Sequence, residues 1–176
     1  MTPEAIEQQL QKAYNCISKI IGKAPTCSAA PGWRCTESAL ELKEKFHFQY
    51  NSDCRGDSIF MPVVNGKILT TPQIPLSMPT YDEVIGKNGI TNENYNEYLL
   101  TFAHPDQMNL LTIHAEVEGG SCSTMFDKFL TVARQRGIEF VPPGELLTKG
   151  KTPPAGKIIQ GKINGREGIT ALQKSC

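Results

Sequence analysis

The sequence lacks the short metal and disulfide motifs that identify several classes of protein. Its six cysteines contain no C-x-x-C pair, and its three histidines contain neither an H-x-x-x-H nor an H-E-x-x-H pair. Closely spaced zinc ligands are therefore absent from the sequence, and so is the cysteine framework of a small secreted scaffold. Scattered cysteines without such pairing favour reduced thiols in a cytosolic compartment, with buried cysteines acting as small hydrophobic residues.

Long apolar runs and an excess of one charge are also missing. The sequence has no run of 18 apolar residues and no basic segment followed by an apolar one at its start, so we expect a chain that is neither exported nor membrane-spanning by itself. Lysine plus arginine and aspartate plus glutamate both number 18. Zero net charge and the lack of a basic aromatic face argue against a nucleic-acid partner.

Helix and strand patterns alternate along the chain. Thr2, Pro3 and Glu4 are typical of a helix start, and the apolar stripe that follows ends at Gly22. A second helix is predicted after Thr36, and the Asn65-Gly66 pair predicts a hairpin. Further strands are expected at residues 25–30, 48–51 and 138–141, with further helices from residue 91 and over 125–133. This order predicts an α/β fold with a parallel sheet wrapped by helices.

The most informative stretch covers residues 110–120. Residues 110–113 are mostly apolar with a β-branched run, which predicts a buried strand of about five residues. His114, Glu116, Glu118 and two glycines follow where this strand ends. Ligands of a sheet flanked by helices bind beyond the carboxyl ends of the strands. His114 is therefore a candidate for chemistry, and the alternative is a structural histidine at a strand end.

Arg34 and Asp53 follow two other predicted strands. In a parallel sheet all three strand ends lie on one side, so we expect Arg34, Asp53 and His114 to converge. An aspartate that holds an imidazolium and an arginine that orders a carboxylate form ordinary acid–base apparatus. Each residue also has a structural alternative, in which Arg34 is a surface cation stacked on Trp33, Asp53 forms a turn or caps a helix, and His114 packs in the core.

Six stretches of the sequence together resemble one enzyme family. They occur in the family's order, and the resemblance extends from the first helix to the tail. The stretches are CSAAPGWR (27–34), YNSDCRG (50–56), TPQIP (71–75), PTYDEVIG (79–86), TIHAEVEG (112–119) and GREG (165–168). They resemble the deformylases that act on 4-deoxy-4-formamido-L-arabinose carried on undecaprenyl phosphate, within the polysaccharide deacetylase superfamily.

The resemblance implies a fold and a division of the chain. The expected fold is the C-terminal portion of a distorted (β/α) barrel of the polysaccharide deacetylase (NodB-like) type, without its leading strands. Residues 1–148 are expected to form this partial barrel, and residues 149–176 a tail rich in glycine, lysine and proline. Such a composition predicts a loosely held segment.

The resemblance also implies an activity, metal-dependent hydrolytic deformylation of the undecaprenyl-phosphate-linked sugar. The product modifies lipid A and gives resistance to polymyxin-type cationic peptides. In the family's motifs, Arg34 matches the arginine that orders the catalytic base, Asp53 the aspartate that tunes the general acid, and His114 that acid, which protonates the leaving amine. Full-length members are expected to hold a divalent metal of the zinc or manganese class.

The lipid-linked substrate implies a location. We expect a cytoplasmic protein, in peripheral contact with the cytoplasmic face of the inner membrane. The candidates for this contact are apolar residues in and around a proline-rich stretch, and the alternative is that they cover the barrel. They are Phe60, Met61, Val63, Ile74, Leu76 and Met78.

The sequence departs from the family in what it omits. The family's catalytic base, its metal-binding aspartate and its paired histidines lie upstream of the first helix seen here, and this sequence resembles somewhat over half of the usual length. We therefore expect a truncated form that holds no metal and is inactive alone, with an N-terminal complementing chain as its partner. The alternative is a non-catalytic remnant or binding module of the same fold.

Overall fold

The computed structural model describes residues 1–148 and 150–175, and it is a mixed α/β structure, as predicted. The helices are α1 (Pro3–Ile21), α2 (Glu37–Lys43), α3 (Tyr81–Val84), α4 (Tyr95–Leu100) and α5 (Ser123–Gln135). The strands are β1 (Cys27–Ser28), β2 (Tyr50–Asn51), β3 (Met61–Val64), β4 (Lys67–Ile68), β5 (Ala155–Gly161) and β6 (Thr170–Ser175). None of the described helices is both long enough and apolar enough to cross a membrane.

Local capping signals placed the first two helices correctly. The Thr2 side chain accepts a hydrogen bond from the backbone N–H of Ala5, and Gly22 ends α1 in the left-handed conformation with φ 72°. Thr36 caps α2 in the same way, through the N–H of Ala39. The apolar stripe of α1 nevertheless buries no residue, and Ile20 is 82% exposed. Helix formation was thus predictable here, whereas burial of its apolar face was not.

Extended segments lie side by side next to α1. β1 pairs in parallel with β2. Beyond β2, parallel bridges join Asn51 to Gln73 and Arg55 to Leu76. On the far side of this segment, the backbone N–H of Met78 donates to the carbonyl of Leu110 at 3.1 Å. Side by side, the segments follow the order β1, residues 50–55, residues 73–78 and residue 110. Asp53 therefore lies in an inner segment, and His114 lies shortly after the outermost one.

The strand predicted over residues 110–114 is wrong. All of these residues are described and none is in a strand. The Ser77 hydroxyl accepts the N–H of Leu110 at 2.8 Å, in place of a ladder partner. His114 then turns the chain, because its carbonyl accepts the N–H groups of Val117 and Glu118. Residues 138–141, the last predicted strand, are likewise described and irregular.

The tail is not loosely held. β5 and β6 form an antiparallel pair over six registered residues, and β5 also pairs in parallel with β3. The four-stranded sheet therefore has the order β4-β3-β5-β6, with β3 and β4 joined by the predicted Asn65-Gly66 turn. Ile158 and Ala171 from this tail are buried in one of the two cores. Composition was misleading because pairing with β3 depends on a segment about ninety residues away in the sequence. The division of the chain after residue 148 remains a prediction.

The proposed membrane-contacting residues are mostly in the interior. Phe60, Ile74 and Leu76 are at most 1% exposed, and Met61 and Met78 are also buried. One core contains Phe60 with residues of α2, β3 and β5, and a second contains Met78 with residues of α4 and α5. The structural alternative was therefore correct for these five side chains, and they provide no apolar surface for a membrane.

Candidate functional site

Asp53 is fully buried and both of its carboxylate oxygens have partners. Lys43 Nζ donates to Oδ1 at 2.5 Å, and the Gln73 side-chain amide donates to Oδ2 at 3.1 Å. The Gln73 side-chain oxygen in turn accepts the backbone N–H of Asp53 at 2.9 Å. Lys43 is itself 2% exposed, at the end of α2. This charge pair was not anticipated, because nothing in the sequence distinguishes the one buried lysine of a short helix from its exposed neighbours.

Two buried thiols accompany this charge pair. Burial, and next the negative charge of Asp53, raise the pKa of the Cys35 thiol to about 12. The same two causes raise the pKa of Cys54 as well. Both cysteines therefore stay protonated at neutral pH and act as small core residues, as the cysteine pattern suggested.

His114 lies at the turn after residue 113, close to a buried glutamate. Its backbone N–H donates to Glu118 Oε2 at 2.8 Å, and its ring Nδ1 lies 4.0 Å from the same oxygen. The His114 side chain is 32% exposed, whereas that of Glu118 is 2% exposed. The turn continues as a π-helical segment, Val117–Ser121, that leads into α5. The carboxylate beside His114 is thus Glu118 from its own turn.

Arg34 lies on the surface near the tail. It is exposed, and its guanidinium is close to Gly168, where an added Cβ would stand 3.3 Å from Nη2. Gly168 has φ 83°, so a side chain there would also strain the backbone. Among the described residues no hydrogen bond or ion pair links any two of Arg34, Asp53 and His114. The structure does not join the three predicted residues directly, and their assigned roles remain predictions.

Four of the resembling stretches meet at Trp33. The guanidinium carbon of Arg166 lies 4.5 Å from the indole centroid and that of Arg55 lies 5.3 Å away. Glu83 bridges the two cations, at 3.2 Å from Arg55 Nη1 and 3.4 Å from Arg166 Nε. Burial lowers the pKa of Arg55, and the charge of Glu83 opposes that effect. We call Trp33, Arg55, Glu83 and Arg166 the tryptophan cluster.

The backbone at the tryptophan cluster is unusual. Trp33 has φ 54°, a conformation that a bulky side chain rarely adopts and that costs about 1–3 kcal/mol. Trp33 is 6% exposed, so the packing of the cluster holds this conformation. The sequence analysis considered Trp33 only as a surface for Arg34, and the two arginines that flank it come from positions 22 and 133 residues further along the chain.

Two adjoining cavities lie between α1 and β1. One has a volume of about 460 Å³ and extends to residues 110–112, which end two positions before His114. The other has a volume of about 590 Å³ and is lined by Arg34. Both are lined by Lys43, the partner of Asp53, and by Leu10, Ala13 and Ala29. The exposed apolar face of α1 therefore borders this pair of cavities. Arg34 itself, the partner of Asp53 and the residues shortly before His114 border the same pair.

The described residues do not by themselves fit a catalytic metal. No group of three or more histidine, cysteine, aspartate or glutamate side chains among them is placed to hold a metal ion. A hydrolytic metal site needs about three protein ligands in a fixed geometry. The part of the chain that the structure describes presents no such set of ligands.

The known proteins that this chain resembles include two deformylases with the same name. No protein-family model matches the chain. It is 44% identical over 176 residues to the probable 4-deoxy-4-formamido-L-arabinose-phosphoundecaprenol deformylase ArnD of Shewanella sediminis (strain HAW-EB3), which covers 99% of this chain. It is 38% identical over 172 residues to the protein of the same name from Wigglesworthia glossinidia brevipalpis, covering 96% of this chain. The chain spans 56% and 60% of the lengths of these two relatives.

Proposed function

Since this chain is a partial homologue of the 4-deoxy-4-formamido-L-arabinose-phosphoundecaprenol deformylases, we propose that it is part of a deformylase that acts on this lipid-linked sugar. The observation that carries the proposal is similarity over nearly the whole chain to just over half of each relative. The reaction is hydrolysis of a formamide. Water adds to the formyl carbon, the C–N bond breaks, and formate and the free amino sugar leave. The product would serve lipid A modification and resistance to polymyxin-type peptides.

Within this proposal the three predicted residues keep their roles. His114 donates a proton to the departing nitrogen, Asp53 tunes this acid, and Arg34 orders the base. An imidazole suits proton transfer because it titrates near neutral pH. The adjoining cavities support the assignment, because Arg34 lines one, residues 110–112 line the other, and Lys43 beside Asp53 lines both.

The proposed fold is the C-terminal portion of a NodB-like (β/α) barrel without its leading strands. The side-by-side extended segments and the uncovered face of α1 support it. We propose that a complementing N-terminal segment, equivalent to the remainder of the relatives, packs along α1 and β1 and supplies the base and the ligands of a zinc- or manganese-class metal. Alone, the chain then holds no metal and is inactive.

We further propose that the completed protein works in the cytoplasm, in peripheral contact with the inner membrane. The motivation is the substrate, whose undecaprenyl chain is held in a bilayer. The residues first considered for this contact are in the interior, so another surface, or the complementing segment, would have to make it.

A non-catalytic binding module of the same fold is the second candidate. The observation in its favour is that the described residues contain no cluster of metal-binding side chains. Such a module would bind the lipid-linked sugar and release no formate under any condition.

This proposal can be tested by supplying the complementing segment as a separate chain. The unmatched segment of the Shewanella sediminis relative is co-expressed with this chain, and formate release is measured from the formamido-arabinose lipid. We expect release only when both chains are present, and loss of that release in a His114→Gln variant. Formate release by this chain alone would contradict the inactive-alone proposal. A stable complex of both chains that binds the lipid without releasing formate would establish the binding module instead.

A further inference from the structure

Two neighbouring side chains at the turn after residue 113, those of His114 and Glu118, each contain a buried polar atom without a partner among the described residues. Among the described residues, the ring Nδ1 of His114 and the Oε1 of Glu118 are both buried and have no hydrogen-bond partner. The second carboxylate oxygen of Glu118, Oε2, lies 4.0 Å from this Nδ1. Buried nitrogen and carboxylate oxygen atoms are costly to leave unpaired, so such a juxtaposition points to an interaction between them.

The backbone fixes the glutamate relative to the histidine. Glu118 Oε2 accepts the backbone N–H of His114 at 2.8 Å, and the backbone N–H of Glu118 donates to the carbonyl of His114 at 2.9 Å. The two residues are therefore tied together in both directions. With the carboxylate held in this way, rotation of the imidazole is the motion that brings Nδ1 within hydrogen-bond distance.

The side chain of Glu118 lies in a place that is almost closed to water. Its side chain is 2% exposed. Burial raises the pKa of the neighbouring Tyr95, and the next largest cause is the negative charge of Glu118. Within the part of the chain that the structure describes, the hydroxyl of Tyr95 is also buried without a partner. In this low-dielectric setting a hydrogen bond from an N–H to the carboxylate is stronger than it would be in water.

We infer that Glu118 is a positioning residue for His114, which holds the proton of the neutral imidazole on Nδ1 and leaves Nε2 as the atom that exchanges protons with a substrate. The exposed third of the His114 side chain fits this arrangement, because Nδ1 is buried and Nε2 is the other ring nitrogen. As a general acid, the imidazolium gives its Nε2 proton to the departing nitrogen while the C–N bond breaks. The other proton stays on Nδ1, where it is hydrogen-bonded to the Glu118 carboxylate. The catalytic part of this inference rests on the proposed function, whereas the position of the proton does not.

The proton can be located by NMR on the chain as it is. In 15N-labelled protein, two-bond 1H–15N correlations distinguish the two tautomers of a neutral histidine. The chain has only three histidines, and a His114→Gln variant assigns the signal of His114. The spectra are recorded above the usual titration range of histidine. We expect the proton on Nδ1 in the unmodified chain, and a proton on Nε2 there would overturn the inference without any variant.

Glu118→Gln supplies the decisive change. A glutamine at this position is neutral, and its oxygen can keep the hydrogen bond from the His114 backbone N–H. The negative charge that favours a proton on Nδ1 is then lost, so we expect the proton to move to Nε2. Glu116→Gln is the matched control, because Glu116 is exposed on the same turn, and it should leave the tautomer unchanged. An unchanged tautomer in Glu118→Gln would also overturn the inference.

Activity separates this inference from the proposed function. In the two-chain deformylase, Glu118→Gln should lower kcat by about 10²-fold with little change in KM, since the imidazolium that acts as the general acid loses the carboxylate that stabilises and orients it. If the tautomer moves as expected and the complemented protein shows no deformylase activity, the proposed function fails and the positioning of His114 by Glu118 stands. If activity is present and Glu118→Gln leaves kcat unchanged, the catalytic part of the inference fails.

Discussion

Arg166, from the turn between β5 and β6, stacks on Trp33 near the start of the chain, with its guanidinium carbon 4.5 Å from the indole centroid. This contact ties the tail to the turn after β1. Glu83 completes the connection, because it accepts hydrogen bonds from both Arg55 and Arg166 while its own side chain is 3% exposed. The tryptophan cluster therefore joins four segments that are distant in the sequence through one buried carboxylate.

Removal of the Glu83 charge should destabilise the fold strongly. Glu83→Gln leaves two partly buried guanidinium groups without their shared anion, and we expect the free energy of unfolding in urea to fall by about 3 kcal/mol. Asp82→Asn is the matched control, since Asp82 is 52% exposed and lies 3.5 Å from the same Arg166. This control should cost less than about 1 kcal/mol. Equal losses in the two variants would show that the buried charge of Glu83 is not what stabilises the tryptophan cluster.

The buried pair of Lys43 and Asp53 allows a similar comparison. Lys43→Met leaves the Asp53 carboxylate in the core without a cation, so unfolding in urea should become easier by about 3–5 kcal/mol. The double variant Lys43→Met/Asp53→Asn buries no unpaired charge and should recover much of this loss. Lys45→Met breaks a surface ion pair in which the Lys45 side chain is 57% exposed and that of Glu7 is 43% exposed. This variant should lower the free energy of unfolding by less than about 1 kcal/mol. A double variant as unstable as Lys43→Met would exclude charge burial as the cause.

Such a result bears on the role predicted for Asp53. Both of its carboxylate oxygens are occupied by Lys43 and Gln73, so Asp53→Asn should affect stability as well as any tuning of the general acid. The carboxylate within 4.0 Å of the His114 ring is Glu118. Variants of the two carboxylates therefore separate a structural contribution from a catalytic one.

The pKa shifts of the core thiols predict how they react. The pKa of Cys35 rises from its ordinary 9.0 to about 12, so the folded chain keeps this thiol proton at pH values where the unfolded chain has lost it. The thiolate fraction at neutral pH is then about 10³-fold lower in the folded chain. Under iodoacetamide at mildly alkaline pH we expect the exposed Cys16 and Cys27 to label quickly, and Cys35 and Cys54 only at the rate of unfolding. Mass spectrometry of the labelled peptides measures the labelling rates of the exposed and of the buried cysteines. Fast labelling of Cys35 in folded protein would contradict this structure.

Signals that lie close together in the sequence predicted the fold well. Thr2 with Gly22, Thr36 and the Asn65-Gly66 pair each placed an element, because caps and tight turns depend on a few neighbouring residues. Pairing between distant segments was not predictable. Residues 110–114 have the sequence pattern of a strand but do not pair as one, since the Ser77 hydroxyl accepts the hydrogen bond from the N–H of Leu110. The tail has the composition of a loose segment, and it forms two strands because β3 offers an edge.

The candidate site shows the same limit. His114 was identified from its place after an apolar run, and the structure does put it at a turn beside a buried carboxylate. Glu118 was visible in the same stretch, but one sequence cannot tell which of two glutamates is buried. Lys43 and the arginines of the tryptophan cluster were missed for a related reason, because their partners lie 10 to 133 residues away.

His114→Gln should separate catalysis from folding. In the two-chain deformylase we expect kcat to fall by roughly 10²–10⁴-fold, the usual contribution of a positioned general acid. The free energy of unfolding should change much less, since about a third of the His114 side chain is exposed. His104→Gln, at an exposed position, is the control and should alter neither quantity. Parallel losses of activity and stability in His114→Gln would return His114 to a structural role.

Metal retention tests whether the chain depends on a complementing segment. The described residues place no three metal-binding side chains together, and a tightly held divalent ion needs about three such ligands. After dialysis against a metal-free buffer, we therefore expect this chain alone to keep well below one equivalent of zinc or manganese by mass spectrometry of the eluted metal. The two-chain complex should keep about one equivalent under the same dialysis. His114→Gln serves as the control within the complex, because an acid that is not a ligand can be replaced without loss of the metal. One equivalent of metal retained by the chain alone would refute the dependence on a second segment. Loss of metal from the complex in His114→Gln would show that His114 is a metal ligand and not the general acid.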